Sequence, residues 1–353
     1  MRILILGDKH IGCRGGNKSF LTFVYEYLKH IVEVIRHNDI DRVIVLGDIM
    51  DRRKSTDNFV IHFVVQIISK LIESTGVRWD IIVGNHDTYY KNRIDINTPV
   101  NLIHANNVHV YDKMFEAEGL VYIPWLCESN LDSLNRMDVD GKYVFGHFEF
   151  ADFAMYRGTI SKSGLEPNLF KYAKRVFSGH YHTRSEKGNI TYVGSPYWLT
   201  WQDYGDARGY HILDTETGEC DFTRTSDMFN MFECLVYNSD DAEFMKNADD
   251  PEWIENRLKD KICKIVVEKR DRPRKFKQFA QLAKNVQVID LIFIDKTVTD
   301  TTTSELSEEE LNTDTISVFG NYLDETDGYD ETDKAHIMNN INVYYKKASE
   351  IDV

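Results

Sequence analysis

The 353-residue sequence contains no run of about 18 apolar residues, the least that a helical membrane span requires. It also lacks any CxxC pair. Its five cysteines, Cys13, Cys127, Cys220, Cys234 and Cys263, are odd in number and scattered. That pattern argues against a disulfide framework and fits a reducing, cytoplasmic setting. The first six residues show neither the basic nor the small-residue region of a signal peptide and read as a strand. No internal repeat is apparent. Net positive charge is missing too: the formal charge is −15. From residue 296 to the end there are 4 Lys against 14 Asp and Glu, so only −5 belongs to residues 1–295. The acidity is mostly a tail property, and a local basic stretch can still bind phosphate. One such stretch, KRDRPRKFK, runs from Lys269 to Lys277. Its Lys269, Arg270, Arg272, Arg274 and Lys275 are candidate DNA-binding residues.

Hydrophobic residues make up 42% of the chain, enough for one large domain and a smaller one. Apolar runs at 2–6, 42–46 and 79–83 predict buried strands, and residues 18–36 and 58–72 show helix-like spacing between them. Strand and helix alternating over about 85 residues is an α/β pattern, whose sheets carry ligands at the carboxyl ends of their strands. Further strands are expected at 108–111, 120–123, 142–145, 175–177, 190–193 and 209–213. The character changes near residue 225. The expected division is a 1–225 catalytic domain, a small α+β module at 226–295, a linker at 296–316 and a terminal segment at 317–353. Residues 317–323 and 334–347 of that segment read as short helices.

Five short motifs follow predicted strands: Asp8-Lys9-His10, Gly47-Asp48-Ile49-Met50-Asp51, Gly84-Asn85-His86-Asp87, Gly146-His147 and Gly179-His180-Tyr181-His182. Asp8 and His10 alternate along an extended strand end and so point to one side, where they can hold one metal. One carboxylate, Asp48, can bridge two cations about 3.5–4 Å apart. Asn85 offers an amide oxygen, and His147, His180 and His182 add imidazoles. His180 and His182 can face one side and ligate different metals. Imidazole, carboxylate and amide ligands without thiolates suit Mn²⁺ or Fe, with Zn²⁺ as an alternative. Two such cations lower the pKa of a bound water and align an in-line attack on phosphorus. His86 adjoins Asn85, cannot easily share its metal, and is the expected general acid or charge stabiliser. Asp51 is placed to hold the His86 ring. Each glycine that precedes a polar residue here permits a tight strand-to-loop turn.

The set DxH, GDxxD, GNHD, GH and GHxH, spanning residues 7–182, resembles the signature of the calcineurin-like metallophosphoesterases. The stretch Ile190-Thr191-Tyr192-Val193-Gly194-Ser195-Pro196 resembles the segment after GHxH in their DNA-repair branch, the SbcD-type nuclease subunits. Gly146-His147-Phe148-Glu149, Ile123-Pro124-Trp125 and Gly164-Leu165-Glu166-Pro167 look most like the recombination nuclease subunits of T-even-like tailed phages. The resemblance implies a four-layer αββα sandwich, two Mn²⁺ ions, and exonuclease and single-strand endonuclease activity on DNA. It implies a capping domain, for which residues 226–295 are suitable. It further implies an SbcC-type coiled-coil ABC ATPase as partner, bound through the terminal segment, and a homodimer within a heterotetramer. Carried over, Asp8, His10, Asp48 and His182 would hold one metal. Asp48, Asn85, His147 and His180 would hold the other, with His86 as the catalytic histidine. Protein phosphatases of this fold usually show GDxVDRG and GNHE. This chain has GDIMDRR and GNHD, which leans away from them without excluding another phosphoesterase or a non-catalytic scaffold.

Overall fold

Four parallel strands, Arg2–Leu6, Arg42–Val45, Arg78–Ile82 and Val108–Tyr111, form the core of one sheet. Parallel neighbours need crossovers. The helix Lys18–His37 makes the first, a helical stretch over residues 58–73 the second, and the helix Thr98–Leu102 lies in the third. The register pairs Leu6 with Val45 and Val45 with Ile81, so three strands end on one edge of the sheet. Two antiparallel strands, Gly209–Asp214 and Cys220–Arg224, complete its six. A second six-stranded sheet is ordered Ser185–Lys187, Ile190–Tyr192, Arg175–Gly179, Tyr143–His147, Leu120–Ile123, Phe115–Ala117. Its middle strands are parallel, and Gly179 pairs with His147.

This computed structural model describes residues 1–156 and 158–297 together with Lys334. Met1–Ile294 form one compact unit, and the second unit begins at Asp295. The expected terminal helices, and all but the first two residues of the expected linker, lie outside the described residues apart from Lys334.

The two sheets stack face to face because their strands alternate. Ile3, Ile5, Ile44, Leu46 and Ile82 meet Tyr122, Phe145 and Phe177 in one buried layer. The opposite set, Leu4, Leu6, Val43, Val45 and Ile81, packs under Phe20, Val24, Leu28 and Ile31 of the long helix. Asn17 caps that helix, its side chain accepting from Ser19 N at 2.9 Å and Phe20 N at 3.4 Å. Val121, Val144 and Val176 of the second sheet pack outward on Phe148, Phe150 and Phe170. The architecture is the expected α/β sandwich, with a thin fourth layer. Over the second sheet lie the four-residue helix Leu131–Leu134, the 3-10 turn Pro167–Phe170 and loops.

The sequence spacing predicts one continuous helix over 58–72. The structure divides it into Asn58–His62, a π-helical stretch Phe63–Ile68 and Ser69–Glu73. Beyond the sandwich, strands Phe232–Asn238, Ile262–Lys269 and Asp290–Asp295 form a three-stranded sheet. The helices Pro251–Leu258 and Pro273–Asn285 accompany it, and Leu235, Tyr237, Ile265, Val267 and Phe279 fill its own small core. Phe232 and Ile262 also pack on Trp198 and Trp201 of the sandwich. Among the described residues no helix is long and apolar enough to cross a membrane.

Candidate metal centre

The turns that leave these strand ends converge. Asp8 follows Arg2–Leu6, Asp48 follows Arg42–Val45, Asn85 follows Arg78–Ile82, His147 ends Tyr143–His147, and His180 follows Arg175–Gly179. Three of the polar residues, His10 (φ 46°), Asp48 (φ 46°) and His180 (φ 85°), sit in the left-handed region. That conformation is uncommon outside glycine and is often found at functional sites. Two glycines explain how the turns come so close. A Cβ on Gly47 would lie 2.5 Å from His147 Nδ1, and one on Gly84 would lie 2.2 Å from Asp48 Oδ1. The need is for close approach as well as for a tight turn.

The side chains form two groups around Asp48. Asp8, His10 and His182 make one, and Asp48, His147 and His180 the other. His10 Nε2 lies 3.1 Å from His182 Nε2, and His182 Nε2 lies 4.0 Å from Asp8 Oδ2. Asp48 Oδ2 stands between the groups, 3.8 Å from His10 Nε2 and 3.4 Å from His147 Nε2. The Asn85 amide oxygen faces His147 Nε2 at 2.8 Å and His180 Nδ1 at 3.0 Å. His147 Nδ1 is 2.7 Å from the Leu46 carbonyl, which fixes that nitrogen as the N–H and leaves Nε2 directed inward.

His86 joins His10 and Asp48 in a third grouping, with its ring edge-on to His10 at 4.8 Å. Its main-chain N–H donates to Asp48 Oδ1 at 2.8 Å. The sequence reading has Asp51 holding the His86 ring. In the structure the Asp51 main-chain carbonyl does so, 2.7 Å from Nδ1, while its carboxylate lies 3.7 Å from His10 Nδ1. Lys269 ends the middle strand of the small sheet and Arg272 caps the helix that Arg274 and Lys275 open. Acidic partners flank part of this stretch: Lys269 pairs with Asp240 and Asp271, and Lys275 with Asp249.

Burial dominates the electrostatics. It pulls the His10 and His182 rings down, and His180 to about 3, with neighbouring imidazoles adding to the effect on His10 and His180. These rings are therefore neutral, as metal ligands must be. Burial opposes protonation of His147 as well, but the Asp48 and Asp8 carboxylates outweigh it and push that ring up to about 9. Asp48 is held well below the usual range, because His147, His10 and His86 outweigh its burial. Asp8 is raised to about 8 by burial and by Asp48.

The residues fit divalent cations. Asp8 Oδ1 is buried without a hydrogen-bond partner, the neutral His10 and His182 rings meet Nε2 to Nε2 at 3.1 Å, and neutral His180 Nδ1 faces the Asn85 amide oxygen at 3.0 Å. Acceptors facing acceptors in a buried site call for a cation between them.

Residues 1–184 match the family of calcineurin-like phosphoesterases. The chain belongs to that family. As a calcineurin-like phosphoesterase it is a metal-dependent hydrolase of phosphate esters. It is 36% identical over 229 residues to "Exonuclease subunit 1" of Enterobacteria phage T4, across 63% of this chain and 67% of that protein. It is 26% identical over 208 residues to "Putative phosphoesterase 078R" of Invertebrate iridescent virus 3, across 55% of this chain. That second match spans 56% of the viral protein.

Several supporting residues of this phosphoesterase escaped the sequence reading. Asp87 is buried and its carboxylate accepts from Met50 N at 3.1 Å and Gly84 N at 2.9 Å, tying two ligand-bearing turns together. Lys9 is buried beneath the site, pulled down to about 7 by burial although Asp8 and Asp87 oppose the shift. Tyr197 donates to the Lys9 carbonyl at 2.7 Å. Arg208, fully buried, binds Asp203 at 2.8 Å and Ser195 at 3.1 Å, while Ser195 N donates to the His182 carbonyl at 3.0 Å. Of these, Lys9, Asp87 and Ser195 lie inside quoted motifs. Lys9 reads as an exposed cation in one dimension, and nothing local marks Arg208.

Proposed function

We propose that the protein is the nuclease subunit of an SbcCD-like DNA recombination and repair complex. It would hydrolyse phosphodiesters at a two-metal centre that prefers Mn²⁺ over Fe or Zn²⁺. The observation that carries this reading is the pair of candidate ligand groups on either side of Asp48 Oδ2, within a chain similar to an exonuclease subunit. In this reading Asp8, His10 and His182 would hold one cation and His147, His180 and Asn85 the other, with the Asp48 carboxylate available to both. The cations would supply a nucleophilic hydroxide and charge neutralisation at phosphorus. The chain supplies the remainder. Asp51's carbonyl fixes one N–H on His86 Nδ1, so in the doubly protonated ring Nε2–H would be the group that delivers a proton to the leaving oxygen, returning the ring to its neutral Nδ1–H form. Trp125 packs at 5.9 Å from the His147 ring and 5.2 Å from the His180 ring and shields them from water.

DNA as substrate draws support from the loop behind the Asn85 turn. Exposed Tyr89 and Tyr90 stand ring to ring at 4.8 Å, and Arg93 lies over Tyr90 at 5.4 Å. The buried Thr88 hydroxyl donates to the carbonyls of Asn85 and Tyr90, so these aromatics are tied to the ligand turn. Such rings can stack unpaired bases. Residues 226–295 would act as the DNA-selecting cap through Lys269, Arg270, Arg272, Arg274 and Lys275. Residues 317–353 would bind an SbcC-type ATPase, and the subunit would pair as a homodimer in the host cytoplasm.

A manganese-dependent assay on linear, plasmid and single-stranded DNA, beside p-nitrophenyl phosphate, tests the reading. DNA cleavage is expected, with little monoester hydrolysis; monoester hydrolysis alone would make the protein a phosphatase. His86→Ala should lower cleavage by about 10²- to 10⁴-fold while manganese binding by calorimetry is retained. Strong residual cleavage in that variant would remove His86 from its role.

A further inference from the structure

One cation stands at the edge of the metal centre with no carboxylate of its own. Arg53 is half-buried, follows the Gly47–Asp51 turn, and makes no ion pair among the described residues. Its Nη2 lies 3.1 Å from the outer end of the Asn85 side-chain amide. The inner end of that amide lies 2.8 Å from His147 Nε2, 3.0 Å from His180 Nδ1 and 3.3 Å from Asp48 Oδ2.

An amide can occupy this position in two ways. With its nitrogen inward, it donates to the imidazoles and Asp48, and its oxygen accepts from Arg53. Both ends of the Asn85 amide then have partners without a cation. With its oxygen inward, Asn85 can ligate a metal, but its –NH₂ now faces the guanidinium. Two donors 3.1 Å apart cannot satisfy each other, and Arg53 must find another acceptor. The ligating orientation therefore deprives Arg53 of this acceptor. What a phosphoesterase brings to this edge of its metals is a phosphate, and a guanidinium binds phosphate oxygens through paired donors.

We propose that Arg53 grips the non-bridging oxygens of the scissile phosphate, and that the Asn85 orientation needed for metal ligation is what frees it to do so. Phosphate and metal binding are then coupled through one side-chain amide. The proposal rests on the metal-ligand reading of Asn85 but not on DNA as the substrate.

The test uses the full chain, wild type against Arg53→Ala and Arg53→Lys, with orthophosphate and bis-p-nitrophenyl phosphate as probes. Calorimetry should show manganese binding unchanged within about twofold in both variants. Orthophosphate should bind the manganese-loaded Arg53→Ala protein about 10- to 100-fold more weakly than wild type, with partial recovery in Arg53→Lys. Without manganese, orthophosphate affinity should be low and the same in wild type and Arg53→Ala. Hydrolysis of bis-p-nitrophenyl phosphate should fall by a similar factor. Unchanged phosphate affinity in Arg53→Ala overturns the proposal. Loss of manganese binding in that variant does too, because Arg53 would then only position Asn85. A defect on DNA without one on bis-p-nitrophenyl phosphate would mean that Arg53 holds a neighbouring phosphate, and also overturns it. If the wild type hydrolyses the small diester but not DNA, the nuclease reading fails and the Arg53 assignment stands.

Discussion

Single side chains in this protein do different work according to what surrounds them. Its histidines show this well. Neutral His10, His180 and His182 face the candidate metal centre, whereas His211, more deeply buried than His180 or His182, lies on the strand Gly209–Asp214 and receives a hydrogen bond from Arg184 at 3.2 Å. Burial first, then Arg184 and Arg175, pull His211 from 6.5 to about 3. Between those pH values the unfolded chain binds the proton and the folded chain does not. Stability from this residue is therefore complete above pH 6.5 and falls as pH drops toward 3. Thermal melts at pH 7 and pH 4.5 should show a smaller acid loss in His211→Gln, by roughly 2 kcal/mol. Equal losses in the two proteins would mean that His211 is not neutral when folded.

At the scale of elements, strand ends bring the chemistry together, and glycine lets them approach. Gly84 has an ordinary φ, so its requirement is steric alone: an added methyl would sit against the Asp48 carboxylate and main chain. Gly84→Ala is expected to cost at least about 2 kcal/mol, as overpacking in a rigid site does. Manganese binding should fall with it, since Asp48 and Asn85 must separate. A variant that melts like wild type and titrates manganese normally would show that the turns have slack. The helical crossover over residues 58–73 illustrates the opposite limit of local reading. Its apolar spacing marks a helix, yet Phe63–Ile68 is wound as a π-helix, with the Ser69 hydroxyl donating to the Val64 carbonyl at 3.1 Å. Five of the six residues in this segment, FVVQII, are apolar, so the pattern alone does not distinguish the two windings.

For the whole molecule the question is how an acidic protein would meet DNA. Within the basic stretch 269–277 the structure sorts the cations. Lys269 and Lys275 already have acidic partners, while Arg272 and Arg274 are exposed at the start of the helix Pro273–Asn285. Replacing both arginines with alanine should reduce the slope of log affinity against log salt by about 2 for duplex DNA, with metal binding intact. Neutralising Lys269 should change it less. A slope identical to wild type would assign the stretch to ordinary solvated surface.

The candidate ligands were legible in one dimension because each sits at or just past a strand whose apolar pattern is itself local. Period-2 runs such as RILIL and RVIVL give the strand, and the polar residue that follows must emerge at its end. The module after residue 225 was legible in the same way, from strand 262–269 and the helical spacing near 276–282. Short edge strands such as Phe115–Ala117 and Ser185–Lys187 were not, since three residues carry too little periodicity. By itself, then, the sequence determined the fold class, the first two crossovers and the candidate side chains for the site. Only the tertiary structure decided which of them touch. His10 meets His182 across 172 positions of chain and His147 meets Leu46 across 101. Asp51 serves His86 through a carbonyl, Asp87 ties two turns, Lys9 is buried, and Arg53 adjoins Asn85. Each of these depends on how turns from distant strands stack along one sheet edge. That stacking follows from the register between strands and the packing of two sheets, neither of which a local pattern encodes.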